Sequence, residues 1–326
     1  MKPTIRDVAK EANVSVSTVS RVINNKESVH ESTRQLVVDA IEKLGFVPNK
    51  LAQSLTSNSS KMVAVFVPHI GPSFYGHLLE GIEAQAGTYG YRIIFCNTQN
   101  NPERELDYLR FVEQYHIDGV IVASDFLNIE SIKELNLPVV TVDHIVDETY
   151  PSVTSDNLRG GRLGAQTLID SGSKNILLFR GPSFLPTTME RTLGAKEIFD
   201  EHSDVIYNYY DFDLVDPDRH LIEQVIKSHP NVDGIFAYGD TLALVTLKIL
   251  KKLNIEVPKD CRLIGFDNNY FSNVSTPKLS TIEQSPEFMG KMAFNLLHQL
   301  MNKQKIENPH QIVDVKLIER ESTKKA

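Results

Sequence analysis

Residues 13–25 read NVSVSTVSRVINN, a run crowded with Val, Ile, Ser and Thr. Taken singly, these residues favour strands and turns over helices. A half-buried strand would alternate apolar and polar positions, and this stretch does not. Val19, Val22 and Ile23 instead fall on one helical stripe, with Ser15 placed to cap it after a turn at Asn13 and Val14. Upstream, TIRDVAKEA sets Ile5, Val8, Ala9 and Ala12 at i, i+3, i+4 and i+7, with Thr4 as N-cap and Asp7 in capping-box position. Downstream, STRQLVVDAIEKLGF is expected to turn Leu36, Val37, Ala40, Ile41 and Leu44 inward and to end at Gly45. The spacing predicts a head of three helices over residues 1–47.

Next comes VPNKLAQSLTSNSSK, in which Leu51, Ala52 and Leu55 make one helical face and TSNSSK has linker composition. A helix of about seven residues is too short to be stable alone, so it needs a partner to fold. This segment, 48–60, separates the head from everything after it.

From Met62 the pattern changes to short apolar strands alternating with amphipathic helices, the signature of a parallel, doubly wound α/β sheet. The strands are expected in MVAVFV, YRIIFCN, GVIVAS, PVVTVD, NILLFRG, GIFAYGD and RLIGFDN, with helices starting near Phe74, Pro102, Ile129, Leu158, Thr187, Pro217 and Thr241. HIDGVIVAS at 116–124 is echoed by NVDGIFAYGD at 231–240, which suggests two similar lobes. Ligands in such folds sit beyond the carboxyl ends of the strands, so two facing lobes make a cleft.

At 326 residues the chain can hold two or three domains. Its net charge of −8 weighs against nucleic acid until it is divided. Residues 1–60 carry eight Lys or Arg against six Asp or Glu, a net of +2, leaving −10 for the rest. An acidic body thus carries a mildly basic head. No apolar run reaches membrane-spanning length and the first residues are interrupted by charge, so a cytoplasmic protein with no membrane partner is expected. Cys96 and Cys261 lie far apart, outside any metal-ligand spacing, and are expected to be buried, inert thiols.

The head TIRDVAKEANVSVSTVSRVINN, the third-helix segment and the PN.LA.SL pattern at 48–55 resemble the LacI/GalR family of bacterial transcription regulators, and the likeness extends along the whole chain. It implies a helix-turn-helix head and a hinge helix, then a two-lobed core resembling periplasmic sugar-binding proteins. The lobes would be about 61–156 with 285–312, and 157–284 with 313–326. Small side chains on the second helix permit close approach to base edges, and an arginine can reach a guanine. The resemblance makes Val16, Ser17 and Arg21 the base readers, with Ser15, Thr18 and Ser20 nearer the backbone and Thr4 and Asn24 alongside. It makes Leu55 a minor-groove wedge, flanked by Asn49, Ala52, Gln53 and Ser54. One departure is His30, standing where the family usually places a serine that caps the third helix.

For the core, sugar sites need fork donors or carboxylates for hydroxyls and aromatic faces for the ring. By resemblance, Arg191 clamps the ligand and Asp267 accepts from its hydroxyls, the lesser alternative being a structural ion pair between the two. Phe74 and Phe212 are stacking platforms or core, Asp143 and Gln284 further polar contacts, and Thr187, His69 and His144 weaker candidates. Gly239 departs from the family's usual asparagine, and Asp240 could compensate. The chain carries no phosphate loop, nucleophile elbow or metal-ligand cluster, and RGGRLG at 159–164 reads as helix packing. The expectation is therefore a non-enzymatic, homodimeric repressor without cofactor. It would bind operator double-stranded DNA and respond to a small sugar, a pentose such as ribose, with a disaccharide, phosphosugar or purine left open. A sugar receptor without DNA binding would need export. The tail ERESTKKA lacks heptads for a coiled coil.

Overall fold

The computed structural model describes residues 3–24, 28–47, 59–71, 73–123, 129–145 and 147–324. The chain divides into two compact units, Met1–Ser60 and Lys61–Ala326.

The first unit holds helices α1 (Ile5–Glu11), α2 (Val16–Ile23) and α3 (Glu31–Leu44). Val8, Val19 and Val37 are fully buried at their centre, with Ala9, Ala12, Val22 and Ala40 packed around them. Thr4 opens α1 as expected: its N–H and Oγ1 both donate to the Asp7 carboxylate, at 2.8 and 2.7 Å. Ser15 caps α2, its Oγ accepting from the Thr18 N–H at 3.1 Å. His30 caps α3 with its ring, Nδ1 accepting from the Ser32 N–H at the longer distance of 3.4 Å. Gly45 terminates that helix at φ 59°, the left-handed region. Leu36 differs from expectation. It is 55% exposed, because the buried stripe of α3 runs through Val37 and Ala40, and its neighbour lies about 100° around the helix.

The second unit contains two six-stranded sheets. The first has the order β11-β5-β4-β3-β1-β2 and the second β12-β10-β9-β8-β6-β7. In the first, β1 (Met62–Val67), β2 (Arg92–Asn97), β3 (Gly119–Val122), β4 (Val139–Val142), β5 (Ser152–Ser155) and β11 (His310–Val313) are all parallel. In the second, β6 (Asn175–Arg180), β7 (Ile206–Asp211), β8 (Gly234–Ala237), β9 (Arg262–Phe266) and β10 (Ser280–Glu283) are parallel, and β12 (Lys316–Ile318) runs antiparallel to β10. The helices are α4 (Ser73–Thr88), α5 (Pro102–Gln114), α6 (Ile129–Glu134), α7 (Asn157–Asp170), α8 (Pro186–Asp200), α9 (Arg219–Ser228), α10 (Asp240–Lys252), α11 (Tyr270–Val274) and α12 (Pro286–Met301).

The sequence echo occupies equivalent places, β3 and β8. Each of these strands is preceded by an aspartate that brackets the start of the lobe's first strand. Asp118 accepts from the Lys61 N–H at 3.2 Å, and Asp233 accepts from the N–H groups of Lys174 and Asn175 at 2.9 and 2.8 Å. The glycines of RGGRLG are packing devices. A Cβ on Gly164 would collide with the Phe236 ring and one on Gly161 with the backbone of Arg191, while Gly194 meets the Leu158 carbonyl from the other side. Gly81 and Gly290 make the same backbone-to-backbone crossing between α4 and α12 in the first lobe.

Three crossings join the lobes: Ser155 to Asn157, Glu283 to Pro286, and Asp314 to Val315. They are laced together, the Asp156 N–H donating to the Val313 carbonyl at 2.9 Å and Arg159 pairing with Asp314. Both cysteines are fully buried free thiols. Burial pushes Cys96 up to about 12 and Cys261 higher still.

Candidate functional site

Helix α2 presents a polar face opposite its buried valines. Positions 16, 17, 20, 21 and 24 follow helical spacing. Val16 is 42% exposed, Ser17, Arg21 and Asn24 are exposed, and Thr18 and Ser20 are half-buried. The hydroxyls are already ordered: Ser15 Oγ lies 2.7 Å from Ser17 Oγ and 2.8 Å from Thr18 Oγ1. The result is a low, hydroxyl-lined surface with one long cation standing above it, suited to a groove edge and its phosphates. Asn49, Ala52, Gln53, Ser54 and Leu55 lie outside the described residues.

In the core, a cavity of about 170 Å³ opens between the carboxyl ends of the two sets of strands. The first lobe contributes His69, Phe74 and Asp143, and the second Thr187, Arg191, Asp267 and Gln284. Arg191 projects from α8 and is 6% exposed. Its Nε donates to Asn157 Oδ1 at 2.9 Å and its Nη1 to the Tyr238 carbonyl at 2.8 Å, while the guanidinium lies 3.6 Å over the Phe266 ring. These contacts fix the fork rigidly; burial pulls its pKa down, and the charges of Asp267 and Asp143 oppose that.

Asp267 follows β9 with φ 107°, a strained backbone for a residue with a side chain. Its Oδ1 accepts from Gln284 Nε2 at 2.7 Å. Burial first, and then the charge of Asp240, push its carboxyl up to about 7 against the pull of Arg191. Asp143 also sits at positive φ, 72°, with its Oδ1 buried and bonded to no protein donor. Burial raises this carboxyl as well, opposed by Arg191.

Phe212, Asp240 and His144 do not line the cavity. Phe212 is 4% exposed and packs on Phe179 with ring centroids 4.9 Å apart; just past the end of β7, it turns into the apolar core. Asp240 is fully buried and faces into its own lobe. It accepts from the Asn269 N–H and from Thr281 Oγ1, both at 2.7 Å, and from the Ser272 hydroxyl. It therefore pins the loop before α11 and does not compensate for the missing side chain at Gly239. Burial raises it to about 6 even against those hydrogen bonds.

Among the residues missed by sequence reasoning are Tyr75, Asn100, Asp213, Leu214, Tyr238 and Thr241, all lining the cavity. Asn100, Asp213 and Tyr238 share one signal, a place just beyond a strand's carboxyl end. A wider groove of about 880 Å³ lies on the second lobe, lined by Arg219, Leu244, Lys248 and Phe271 among others. Among the described residues, a buried arginine and two half-buried aspartates converge on the interlobe cavity.

Residues 4–49 match the family model described as bacterial regulatory proteins, lacI family, and residues 165–323 match the periplasmic binding protein-like domain. The ribose operon repressor of Halalkalibacterium halodurans is 35% identical over 323 residues, covering 98% of this chain and 97% of that protein. The ribose operon repressor of Bacillus subtilis is 36% identical, with 99% of both chains covered. The sucrose operon repressor of Streptococcus mutans is 34% identical, covering 99% and 100%. Among solved structures, a transcriptional regulator CelR–cellobiose complex superposes with a TM-score of 0.74 at 26% identity over 98% of this chain and 99% of that one. The lac repressor dimer bound to operator shares the fold, with a TM-score of 0.88 at 22% identity over 99% of each chain. Among the described residues, no helix is long and apolar enough to cross a membrane. With a helix-turn-helix head, a periplasmic-binding-protein-like core and relatives matching end to end, the chain belongs to the lacI family of bacterial regulatory proteins, DNA-binding regulators of transcription.

Proposed function

We propose that this protein represses a carbohydrate-utilisation operon and that a small sugar held in the interlobe cavity sets its affinity for operator DNA. The observation that carries the sugar reading is the buried, rigidly held Arg191 fork facing two half-buried carboxylates, Asp143 and Asp267, of which Asp143 keeps a buried oxygen with no protein donor. Fork donors and carboxylates at one cavity match the hydroxyls of a polyol.

The volume of about 170 Å³ is roughly that of five or six waters at about 30 Å³ each, on the scale of a single ring. A pentose such as ribose suits that space, in keeping with the names of two relatives; a disaccharide would need the lobes to part. Three carboxylates, Asp143, Asp213 and Asp267, line the cavity with one guanidinium, which disfavours a sugar phosphate. On the DNA side, a homodimer would place two α2 helices on the halves of a pseudo-palindromic operator, with Arg21 reaching base edges and Leu55 acting from the hinge. Ligand in the cavity would shift the lobes and so the two hinges, coupling the two sites.

A thermal-shift screen of the full-length protein with ribose, sucrose and cellobiose tests the effector. Ribose is expected to raise Tm by several degrees at a hundredfold excess over Kd, equivalent to about 2.7 kcal/mol. A protein whose Tm no sugar moves would defeat the reading.

A further inference from the structure

We propose that Ser155 is the positioning residue through which an occupied cavity is reported to the crossings between the lobes, an inference that rests on the effector reading above. A continuous hydrogen-bond path joins the two principal charged groups of the cavity through two of the three crossings. Asp267 Oδ1 accepts from Gln284 Nε2 at 2.7 Å, and Gln284 Oε1 accepts from Ser155 Oγ at 2.6 Å. The Ser155 carbonyl then accepts from Asn157 Nδ2 at 3.2 Å, and Asn157 Oδ1 accepts from Arg191 Nε at 2.9 Å. Ser155, Asn157, Gln284 and Arg191 are 2%, 1%, 4% and 6% exposed, so water does not compete for these bonds.

Position makes the path mechanical. Ser155 is the last residue of β5 in the first lobe, whereas Gln284 leaves β10 of the second lobe on the way to α12. A rotation of one lobe on the other changes the separation of these two residues. The Ser155–Gln284 bond therefore either holds the crossings together or breaks, and Gln284 transmits the choice to Asp267. Ser155 Oγ also has a second acceptor within reach, Met289 Sδ at 3.3 Å, which belongs to α12 of the first lobe. A thioether accepts weakly, so the hydroxyl has one strong and one weak partner on opposite sides of the crossing. A group with two discrete arrangements is what a coupling element requires. Ser155 does not line the cavity, so its effect is separable from ligand contact.

The experiment compares wild type, Ser155→Ala and Ser155→Cys, measuring ribose Kd without DNA, operator Kd without ribose, and operator Kd at saturating ribose. The operator is a duplex selected from a random pool by the wild-type protein. Coupling between sites in such proteins is typically about 5- to 150-fold. Ser155→Ala is expected to hold each single affinity within about threefold and to cut the ribose effect on operator Kd about fivefold or more. Ser155→Cys, which keeps the side chain's shape with a bulkier, weakly donating thiol, should fall between and carries the test where alanine fails to fold. A variant that responds to ribose as fully as wild type, or one that loses ribose binding itself, overturns the coupling role. A wild type that ignores ribose overturns the effector reading and the coupling with it.

Discussion

The two lobes of the core share a strand order and differ in what the ends of their strands carry. Both use an aspartate to bracket the first strand, Asp118 or Asp233, and both cross two helices backbone to backbone at a glycine pair, Gly81 with Gly290 or Gly161 with Gly194. Just past the strands one likeness persists, an aspartate at positive φ after β4 (Asp143) and after its counterpart β9 (Asp267), and the rest of the rim differs. The second lobe supplies Arg191, Asp267 and Gln284, while the first supplies Asp143 and the aromatic pair Phe74 and Tyr75, whose rings meet edge to face at 5.2 Å. The shared features hold a sheet and its helices together and set one aspartate at each lobe's rim, whereas the fork and amide of one lobe and the aromatic pair of the other give the cavity its two unlike walls.

The largest expected effect probes the shared scaffold. Gly81→Ala and Gly194→Ala each drive a Cβ into a carbonyl oxygen, of Glu287 and Leu158 respectively, where backbone must move. Each should cost about 3 kcal/mol, the upper end for overpacking, read from urea unfolding. Gly239→Ala, whose Cβ would meet its nearest atoms at 3.8 Å, should stay within about 0.5 kcal/mol. Tolerance at one crossing and not the other would break the structural equivalence of the lobes.

Next comes the divergence of the strand ends. Asp267→Asn should weaken ribose binding by about 10- to 100-fold and Asp143→Asn by less, since losing a bond to a charged group costs about 1.5–3 kcal/mol and Asp267 is held in place by Gln284. Calorimetric titration giving the reverse order would move the main site to the first lobe.

The smallest effect is pH. Hydroxyl donors stabilise the ionised carboxylate, so ligand binding lowers the pKa of Asp267, and by linkage protons compete with ligand. With the free carboxyl at about 7, affinity should be full above that value and fall as pH drops through it, by at most about tenfold between pH 8 and pH 6. The raised carboxyl of Asp143 acts in the same direction. In Asp267→Asn most of this dependence should vanish, and an unchanged pH profile would assign the titration elsewhere.

How much of this was legible in the sequence depended on which force set each position. The central strands MVAVFV, GVIVAS and NILLFRG were readable because burial on both faces demands continuous apolar runs. SVTS and STIE form β5 and β10 although hydroxyl residues give no such run, and IYNYYD forms the edge strand β7 with much of its surface exposed. Arg191 and Asp267 were named through the family resemblance, and only Asp267 lies at a strand end, Arg191 projecting from α8. Phe212 and Asp240 were misplaced because one position past a strand end or at a helix start decides whether a side chain meets the cavity or the interior. Asp213 and Leu214 were missed together with β7, whose end they follow.

The passage of the chain between lobes also bears on how the molecule is assembled during synthesis. The apolar face of the first sheet, with Val63, Val65, Ile121 and Val140, is covered in part by Met289, Phe294 and Leu297 of α12. A nascent chain emerged as far as Gln284 holds every helix of the second lobe yet lacks the first lobe's closing helix and its β11 strand. The second lobe then waits only for β12, whereas the lobe made first stays open until α12 and β11 are synthesised. Its uncovered valines and isoleucine are the surface a chaperone would have to guard for the length of translation.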